Sequence, residues 1–237
     1  MREALRAHRA LNRIWIQEGA DGVQGSLKEI VALAQAQAVP MARVPRRRLD
    51  QLAAQLAHQG VVAQLSPVST LSWEGLWEQL ETQEEAFLLL LDRVQDPQNL
   101  GAILRVADGA GAAGVVIPER GSAGITAAVA KASAGAVSWV PVARVTNLVS
   151  VIGKLQQAGY FVFAATQDGE RLYYDVDWRG KVALVVGSEG KGVRPLVRAR
   201  CDQTVRIPMV GKLQSLNAAT AAAVVAFEAL RQRHHVQ

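Results

Sequence analysis

The sequence predicts an α/β protein built from two domains, and three observations support this fold class. First, the run from Ala86 to Leu91 is entirely apolar, as expected for a strand buried on both faces of a parallel sheet. Second, helical and strand-like segments alternate along most of the chain, which is typical of strands joined by crossover helices. Third, the acidic, tryptophan-bearing segment 71–85 separates residues 1–70 from the clearer alternation of residues 86–237. We therefore expect a small α/β domain, a linker at 71–85 and a larger parallel-sheet domain.

The first domain is predicted from capping and stop signals as well as from hydrophobic patterning. Ser26 and Glu29 have the spacing of a capping box, and Gly60 stands where a helix is expected to have ended. The predicted elements are a helix over 2–9, a strand over 13–16, helices over 26–37 and 46–58, and a strand over 61–65.

The second domain follows the apolar run with a regular alternation of helices and strands. Asn99, Ser215 and Asn217 stand at predicted helix starts, and on residue type alone a capping role is the simplest one for each. Helices are predicted over 99–109, 125–133, 146–158, 194–200 and 217–232, and strands over 114–117, 137–142, 160–165, 182–186 and 204–207.

Composition excludes several classes of protein. No apolar run approaches the roughly 20 residues that a membrane-spanning helix needs, and the first residues lack the apolar core of a secretion signal. Cys201 is the only cysteine, which excludes an internal disulfide, and the four histidines have no metal-ligand spacing. We expect a cytoplasmic protein without a membrane partner or a metal site.

Positive charge is concentrated in the second domain. Residues 86–237 contain 17 Lys and Arg against 11 Asp and Glu, whereas residues 1–85 contain 9 against 10. This excess fits a polyanionic partner, although an ordinary basic surface explains the charge equally well.

Two glycine-rich segments resemble nucleotide-binding motifs but have the wrong context. The segment 109–114 has the letters of the dinucleotide fingerprint, yet a helix precedes it and a strand follows, the reverse of what that motif requires. The segment 187–192 is not a P-loop, because Gly192 follows Lys191 where serine or threonine is needed. A nicotinamide-dependent dehydrogenase is therefore the weaker interpretation.

Two loops near the carboxyl terminus are better candidates for a ligand site. The apolar segment starting at Val182 ends in a glycine turn that contains Glu189. A second short apolar run ends at Ile207, and the chain continues from there to Ser215, Leu216 and Asn217. Strand-end loops of this kind offer backbone N–H and C=O groups to a small polar ligand.

Together with the segment 96–105, which reads Asp-Pro-Gln-Asn-Leu-Gly-Ala-Ile-Leu-Arg, these loops resemble the three motifs of the SPOUT methyltransferases. The similarity is to the branch that methylates ribose 2′-hydroxyls in ribosomal and transfer RNA. The segment 57–63 resembles the end of the RNA-binding domain, similar to ribosomal protein L30, that precedes the catalytic domain in ribosomal RNA enzymes. The resemblance implies a deep trefoil knot in residues 86–237 and a substrate-binding domain in residues 1–70. Against that pattern, the chain starts inside a helix, so we expect an edge strand to be missing or to lie upstream.

The resemblance also implies the ligands and the site residues. S-adenosylmethionine would be the methyl donor, RNA the substrate and a homodimer the active form, with no activity on DNA because DNA lacks the 2′-hydroxyl. Arg105 would be the catalytic residue, either as a base or as a fixed cation, and we favour the cation because guanidinium groups are poor bases. Asn99, Glu189, Ser215 and Asn217 would orient the ribose and the arginine. The donor would contact Thr166, Gly187, Gly190, Ile207, Met209, Leu216 and Ala218.

The expected target is a guanosine of 23S ribosomal RNA, in the peptidyl-transferase region. Two alternatives stay open at this level: a transfer RNA guanosine 2′-O-methyltransferase, and a non-catalytic RNA-binding protein of the same fold.

Overall fold

A computed structural model describes residues 1–6, 11–19, 25–53, 58–65 and 70–234. The chain divides into two compact units, Met1–Val68 and Ser69–Gln237. Each unit has its own hydrophobic core.

The first unit is a three-stranded sheet covered by helices. Its strands are β1 (Leu11–Gln17), β2 (Met41–Val44) and β3 (Val61–Leu65), and its helices are α1 (Arg2–Arg6), α2 (Ser26–Ala36) and α3 (Arg46–Leu52). Strand β1 lies in the centre, parallel to β2 and antiparallel to β3. The core is formed by side chains from the helices and from β1, among them Leu5, Ile14, Ile30 and Ala34.

Several predictions for the first unit are corrected in detail. Helix α2 has Gly25 rather than Ser26 in the cap position, and it ends at Ala36. Strand β2 is a short strand that the sequence analysis did not predict, because its four residues do not alternate clearly between apolar and polar. The predicted helices 2–9 and 46–58 extend into residues 7–10 and 54–57, which lie outside the described residues.

The second unit is a parallel α/β domain. Its helices are α4 (Trp73–Leu80), α5 (Pro97–Gly109), α6 (Ala127–Ala132), α7 (Leu148–Gln157), α8 (Pro195–Arg198) and α9 (Ala218–His234). Its strands are β4 (Ala86–Asp92), β5 (Gly114–Pro118), β6 (Val142–Val145), β7 (Phe161–Ala165), β8 (Arg171–Leu172), β9 (Lys181–Gly187) and β10 (Gln203–Arg206). The sheet order is β6-β5-β4-β9-β7-β10-β8, and neighbouring strands are parallel throughout.

Strand β4 is buried along its whole length, as its apolar run predicts. It lies between β5 and β9, so its carboxyl end is next to the glycine loop that follows β9. This position brings segments that are about 90 residues apart in the chain to one edge of the sheet.

The segment 71–85 is not a linker, contrary to the sequence prediction. It contains helix α4, whose buried Trp73, Leu76 and Leu80 belong to the core of the second unit. A Cβ built at Gly114 would lie 2.8 Å from Leu76 Cδ1, so the helix packs directly on β5. The acidic composition suggested a solvated connection, but the acids occupy the exposed face of an amphipathic helix.

Two predicted boundaries also change for identifiable reasons. The strand predicted over 137–142 is instead a 3₁₀ turn, Ala136–Ser138, followed by β6. Pro141 explains the shift, because proline cannot donate to the hydrogen-bond ladder and therefore precedes the strand. The strand predicted over 204–207 ends at Arg206, one residue before Ile207.

The segment 109–114 forms a turn between α5 and β5, and Gly111 has a left-handed φ of 64°. The order helix, turn, strand is the one that the sequence predicts, and it is the reverse of what a dinucleotide fingerprint requires. The trefoil knot stays a prediction, because strand order alone does not define how the chain threads. Within the described part of the chain, no helix is both long and apolar enough to cross a membrane.

Candidate active site

A pocket opens at the carboxyl ends of strands β7, β9 and β10. The loops that follow these strands, together with the start of α9, form its walls. Its lining includes all seven residues predicted to contact the methyl donor: Thr166, Gly187, Gly190, Ile207, Met209, Leu216 and Ala218. The carboxyl edge of an open parallel sheet is where ligands bind in α/β proteins generally.

Gly187 is required by the close approach of two backbone segments. A Cβ built on Gly187 would lie 2.1 Å from the carbonyl carbon of Gly192 and 2.2 Å from the nitrogen of Val193. The loop 188–192 therefore folds back directly against the end of β9, and the Ser188 and Gly192 backbones bond to each other across it. Only glycine at position 187 permits this tight turn.

An ion pair between the buried Asp92 and the partly exposed Arg194 fixes the far end of the same loop. Asp92, at the end of β4, is 0 % exposed and is paired in register with Gly187. Its carboxylate accepts hydrogen bonds from Arg194 N at 2.8 Å and from Arg194 Nε at 2.7 Å. Such charge-assisted bonds are strong, so Asp92 holds the glycine loop at both its beginning and its end.

Three predicted site residues form one hydrogen-bonded cluster, which we call the amide–carboxylate cluster: Asn99, Glu189 and Asn217. Asn99 Nδ2 donates to Glu189 Oε1 at 2.6 Å. Asn217 Nδ2 donates to Asn99 Oδ1 at 2.9 Å and also contacts Glu189 Oε1. The cluster joins α5, the glycine loop and the start of α9, so each of the three motifs contributes one residue.

Capping, the role that residue type suggested for both asparagines, is not found for Asn99 and is one of two roles for Asn217. Asp96, not Asn99, caps α5, since its side chain accepts from Gln98 N at 3.0 Å. Asn99 lies inside the helix, is 7 % exposed and points into the cluster. Asn217 does both, because its Oδ1 accepts from Ala219 N at 2.8 Å while its amide group donates within the cluster.

Ser215 and Arg105 lie outside the cluster. Ser215 is exposed and lines the pocket, but it does not cap α9, a role that Asn217 fills. Arg105 is exposed on α5, nearly two helical turns after Asn99, and is not part of the pocket wall. Within the described residues the Arg105 guanidinium makes no hydrogen bond or ion pair, so its own chain leaves it available to another molecule.

The pocket has the features of a site for a small polar ligand with an apolar part. Val186, Val205, Leu216 and Val225 supply apolar wall. The buried Thr166 hydroxyl, which also interacts with the Asp168 carboxylate, supplies a polar group to the wall.

The loop after β7 is held by basic residues on its neighbours. Arg198 Nη1 donates to both oxygens of Asp168, at 3.0 and 2.9 Å, and this guanidinium lowers the pKa of the Asp168 carboxyl. Arg206 Nη1 donates to the Gly169 carbonyl. The first contact holds the segment that follows Thr166 to α8, and the second holds it to β10.

Sequence reasoning missed Asp92 and Arg194. A signal for Asp92 was present, since it is the first charged residue after an apolar run and hence stands at the functional edge of the sheet. No comparable signal marks Arg194, because its partner lies 102 positions away in the chain.

Comparison with known proteins identifies the family of each unit. The SpoU rRNA methylase family matches residues 86–227, and the substrate-binding domain of RNA 2′-O ribose methyltransferases matches residues 1–71. The Bacillus subtilis (strain 168) protein YacO, named for the TrmH family of tRNA/rRNA methyltransferases, is 40 % identical over 99 % of this chain and 93 % of its own length.

Solved structures are similar over different extents of the chain. The SpoU methyltransferase AviRb of Streptomyces viridochromogenes, solved with AdoMet, has 25 % identity and a TM-score of 0.82 over 99 % of this chain and 88 % of its own. An AdoMet-bound rRNA methyltransferase from Sinorhizobium meliloti has 26 % identity and a TM-score of 0.79, covering 99 % and 84 %. The TrmH/SpoU tRNA modifying enzyme of A. aeolicus has 30 % identity and a TM-score of 0.59, covering 68 % and 82 %. The chain belongs to the SpoU family of RNA methyltransferases.

Proposed function

We propose that the protein transfers a methyl group from S-adenosylmethionine to a ribose 2′-hydroxyl of RNA. The observation that carries this proposal is the joining of Asn99, Glu189 and Asn217 beside a pocket at the carboxyl ends of the strands. The family supplies the reaction, and two similar structures were solved with AdoMet.

The chain's residues have two separate tasks in this reaction. Thr166, Gly187 and Leu216 lie where they can bind the donor through the pocket wall. The Glu189 carboxylate, held by two amide donors, lies where it can accept a hydrogen bond from a ribose hydroxyl. S-adenosylmethionine supplies a methyl group that its positive sulfur already activates, so the protein mainly has to hold the reactants in line.

The ribose 2′-oxygen bonds to the methyl carbon as the carbon–sulfur bond breaks, and the hydroxyl proton is released to solvent. A fixed cation lowers the barrier by stabilising the developing alkoxide. We assign this role to Arg105, because guanidinium groups in proteins are cations and poor bases.

The position of Arg105 favours a site completed by two subunits. Arg105 does not line the pocket of its own chain, and its guanidinium has no partner among the described residues. In the homodimer that we propose, Arg105 of the partner subunit approaches the amide–carboxylate cluster together with the RNA.

Ribosomal RNA is the target that we propose, with a guanosine of 23S RNA as the specific site and the cytoplasm as the location. The similar rRNA methyltransferase covers nearly the whole chain, including the first unit, whereas the similar tRNA enzyme covers 68 % of it. Transfer RNA is the second candidate, because the B. subtilis relative is named for both substrates.

The test combines donor binding with mapping of the product. We expect S-adenosylmethionine to bind in titration calorimetry and 2′-O-methyl groups to appear in RNA incubated with the protein. Arg105→Ala should bind the donor normally and transfer almost no methyl. Arg105→Lys should keep part of the activity, because the lysine ammonium keeps the positive charge but lacks the paired N–H donors of the planar guanidinium. Rapid transfer by Arg105→Ala would contradict the assigned role, and absence of donor binding would contradict the function itself.

A further inference from the structure

Arg93 lies directly after β4 and has a left-handed backbone conformation, with φ at 61°. Residues with a Cβ rarely adopt this conformation, because it brings the Cβ close to the backbone. The other positive-φ residues besides glycine in the described chain are Ala38 and Ala134, and both follow helices, where a left-handed residue ends the helix. Arg93 follows a strand, so helix termination does not account for its strain.

The Arg93 side chain is exposed, and its aliphatic part is held in place. It passes over Gly121: a Cβ built there would lie 3.4 Å from both Cγ and Nε of Arg93. Within the described residues its guanidinium makes no hydrogen bond or ion pair. A strained backbone thus presents an oriented, unpaired cation to solvent.

Two more exposed arginines continue along the same edge of the sheet. Arg120 follows β5, and Arg144 lies near the carboxyl end of β6, with its Nη2 donating to the Glu119 carbonyl at 2.9 Å. We call Arg93, Arg120 and Arg144 the arginine rim. Glu119 is exposed on the same loop, so the rim exceeds this carboxylate by two positive charges.

The rim starts next to the candidate active site. Its strands are the neighbours β4, β5 and β6, and β4 pairs on its other side with β9, whose loop carries Glu189. All four strands are parallel, so their carboxyl ends share one edge. The positive charges therefore extend from the pocket along the sheet.

We propose that the arginine rim binds the phosphate backbone of the RNA substrate beside the methylated nucleotide, with Arg93 as its main contact. This inference rests on the proposed function. Guanidinium groups match phosphate geometry through paired N–H donors, and each contact releases condensed counterions. Local strain that the fold does not require is characteristic of functional positions, where it orients a reacting or binding group.

The test uses a substitution that should leave the stability of the fold unchanged or raise it, and should weaken RNA binding. Arg93→Gly removes the charge and fits the left-handed backbone, so the Tm of the whole chain should stay the same or rise by up to about 4 °C. With a labelled RNA hairpin as probe, the Kd should rise by about threefold to tenfold at low salt. The slope of log Kd against log salt should fall by about 1, as expected for one lost phosphate contact. Donor affinity should not change.

Three control variants isolate the role of the charge. Arg93→Lys keeps the cation and should retain most of the salt slope. Ala134→Gly also places glycine at a left-handed position and should leave RNA affinity unchanged. Arg179→Gln removes a positive charge two residues before β9, at the opposite edge of the sheet, and it should change the slope far less than Arg93→Gly.

The outcomes are distinct from those of the function test. Wild-type affinity and salt slope in Arg93→Gly would overturn the inference, even if methyl transfer to RNA were normal. A fall in Tm with loss of donor affinity would also overturn it, because Arg93 would then have a structural role. If the wild-type chain binds no donor, the proposed function fails, whereas the RNA-binding measurement on the rim still decides the inference.

Discussion

The amide–carboxylate cluster depends on the neutrality of Asn99. Its amide has one acceptor and one donor group, and both are used, the first by Asn217 and the second by Glu189. An aspartate at this position has the same shape but cannot donate, and its charge would lie beside the Glu189 carboxylate. The replacement of one nitrogen by oxygen therefore turns the attraction between residue 99 and Glu189 into a repulsion.

We expect Asn99→Asp to be more harmful than Asn99→Ala. Loss of a hydrogen bond to a charged group costs about 1.5 to 3 kcal/mol, which corresponds to roughly tenfold to a hundredfold in kcat/KM. The aspartate variant adds repulsion to that loss. The measurement is single-turnover methyl transfer for both variants, with donor affinity determined in parallel. Equal rates for Asn99→Asp and the wild type would show that the cluster does not orient the reactants.

Residue type alone could not reveal this role of Asn99. Asp96 and Asn99 are both good capping residues near the start of one helix, and only the folded chain shows that Asp96 caps it. The partners of Asn99 lie 90 and 118 positions away, beyond the range of any local pattern. The motif resemblance nevertheless named Asn99, Glu189 and Asn217, because a sequence motif records which residues meet without showing how they meet.

At the scale of elements, the pocket depends on how closely the glycine loop returns to β9. Gly187 belongs to the strand and its side-chain position faces the backbone of residues 192 and 193. Gly190 and Gly192, by contrast, have left-handed φ values of 76° and 62° and open space at their Cβ positions. One glycine is thus needed for close packing and the other two for turning the chain.

Gly187→Ala should therefore reduce donor binding without unfolding the protein. Its Cβ would meet backbone atoms at about 2.1 to 2.3 Å, so the loop has to move away and the pocket wall is displaced. A shift of this kind can cost about a hundredfold in function. Gly124→Ala is the matched control, because a Cβ there meets nothing within 4 Å. Calorimetric affinity for S-adenosylmethionine should fall only in the first variant; equal affinities would remove this loop from the donor site.

Elements differ in how well the sequence predicts them, and the reason is physical. The all-apolar β4 is predicted correctly because burial on both faces leaves an unambiguous pattern. Helix α4 is not, since its exposed glutamates hide a buried stripe of Trp73, Leu76 and Leu80 that has the helical period. The prediction of a strand at 137–142 is wrong, because the segment is apolar enough for a strand but Pro141 cannot donate to the hydrogen-bond ladder.

At the scale of the whole molecule, we expect the first unit and the second unit to have separate tasks. The family match assigns substrate binding to residues 1–71, whereas the pocket and the amide–carboxylate cluster lie entirely in the second unit. Donor binding is therefore expected to depend on the second unit alone. RNA affinity is expected to need both units.

The position of α4 determines where the chain can be divided to test this. A fragment of residues 69–237 keeps α4 and the bridge between Leu71 and Ala143, whereas a fragment of residues 86–237 loses both. Burial of a large apolar side chain contributes about 1.5 to 3 kcal/mol. Loss of Trp73, Leu76 and Leu80 therefore removes roughly 5 to 9 kcal/mol, comparable to the whole stability of a typical domain.

We expect fragment 69–237 to fold, to bind S-adenosylmethionine with nearly the affinity of the whole chain, and to methylate RNA poorly because the substrate-binding unit is missing. Fragment 86–237 should be largely unfolded by circular dichroism, and donor binding should be lost with the fold. The two fragments thus distinguish a substrate-binding defect from a folding defect. Full activity of fragment 69–237 on the same RNA would contradict the separation of tasks. A stable fragment 86–237 that binds the donor would show that α4 is dispensable, as the prediction of a linker at 71–85 implied.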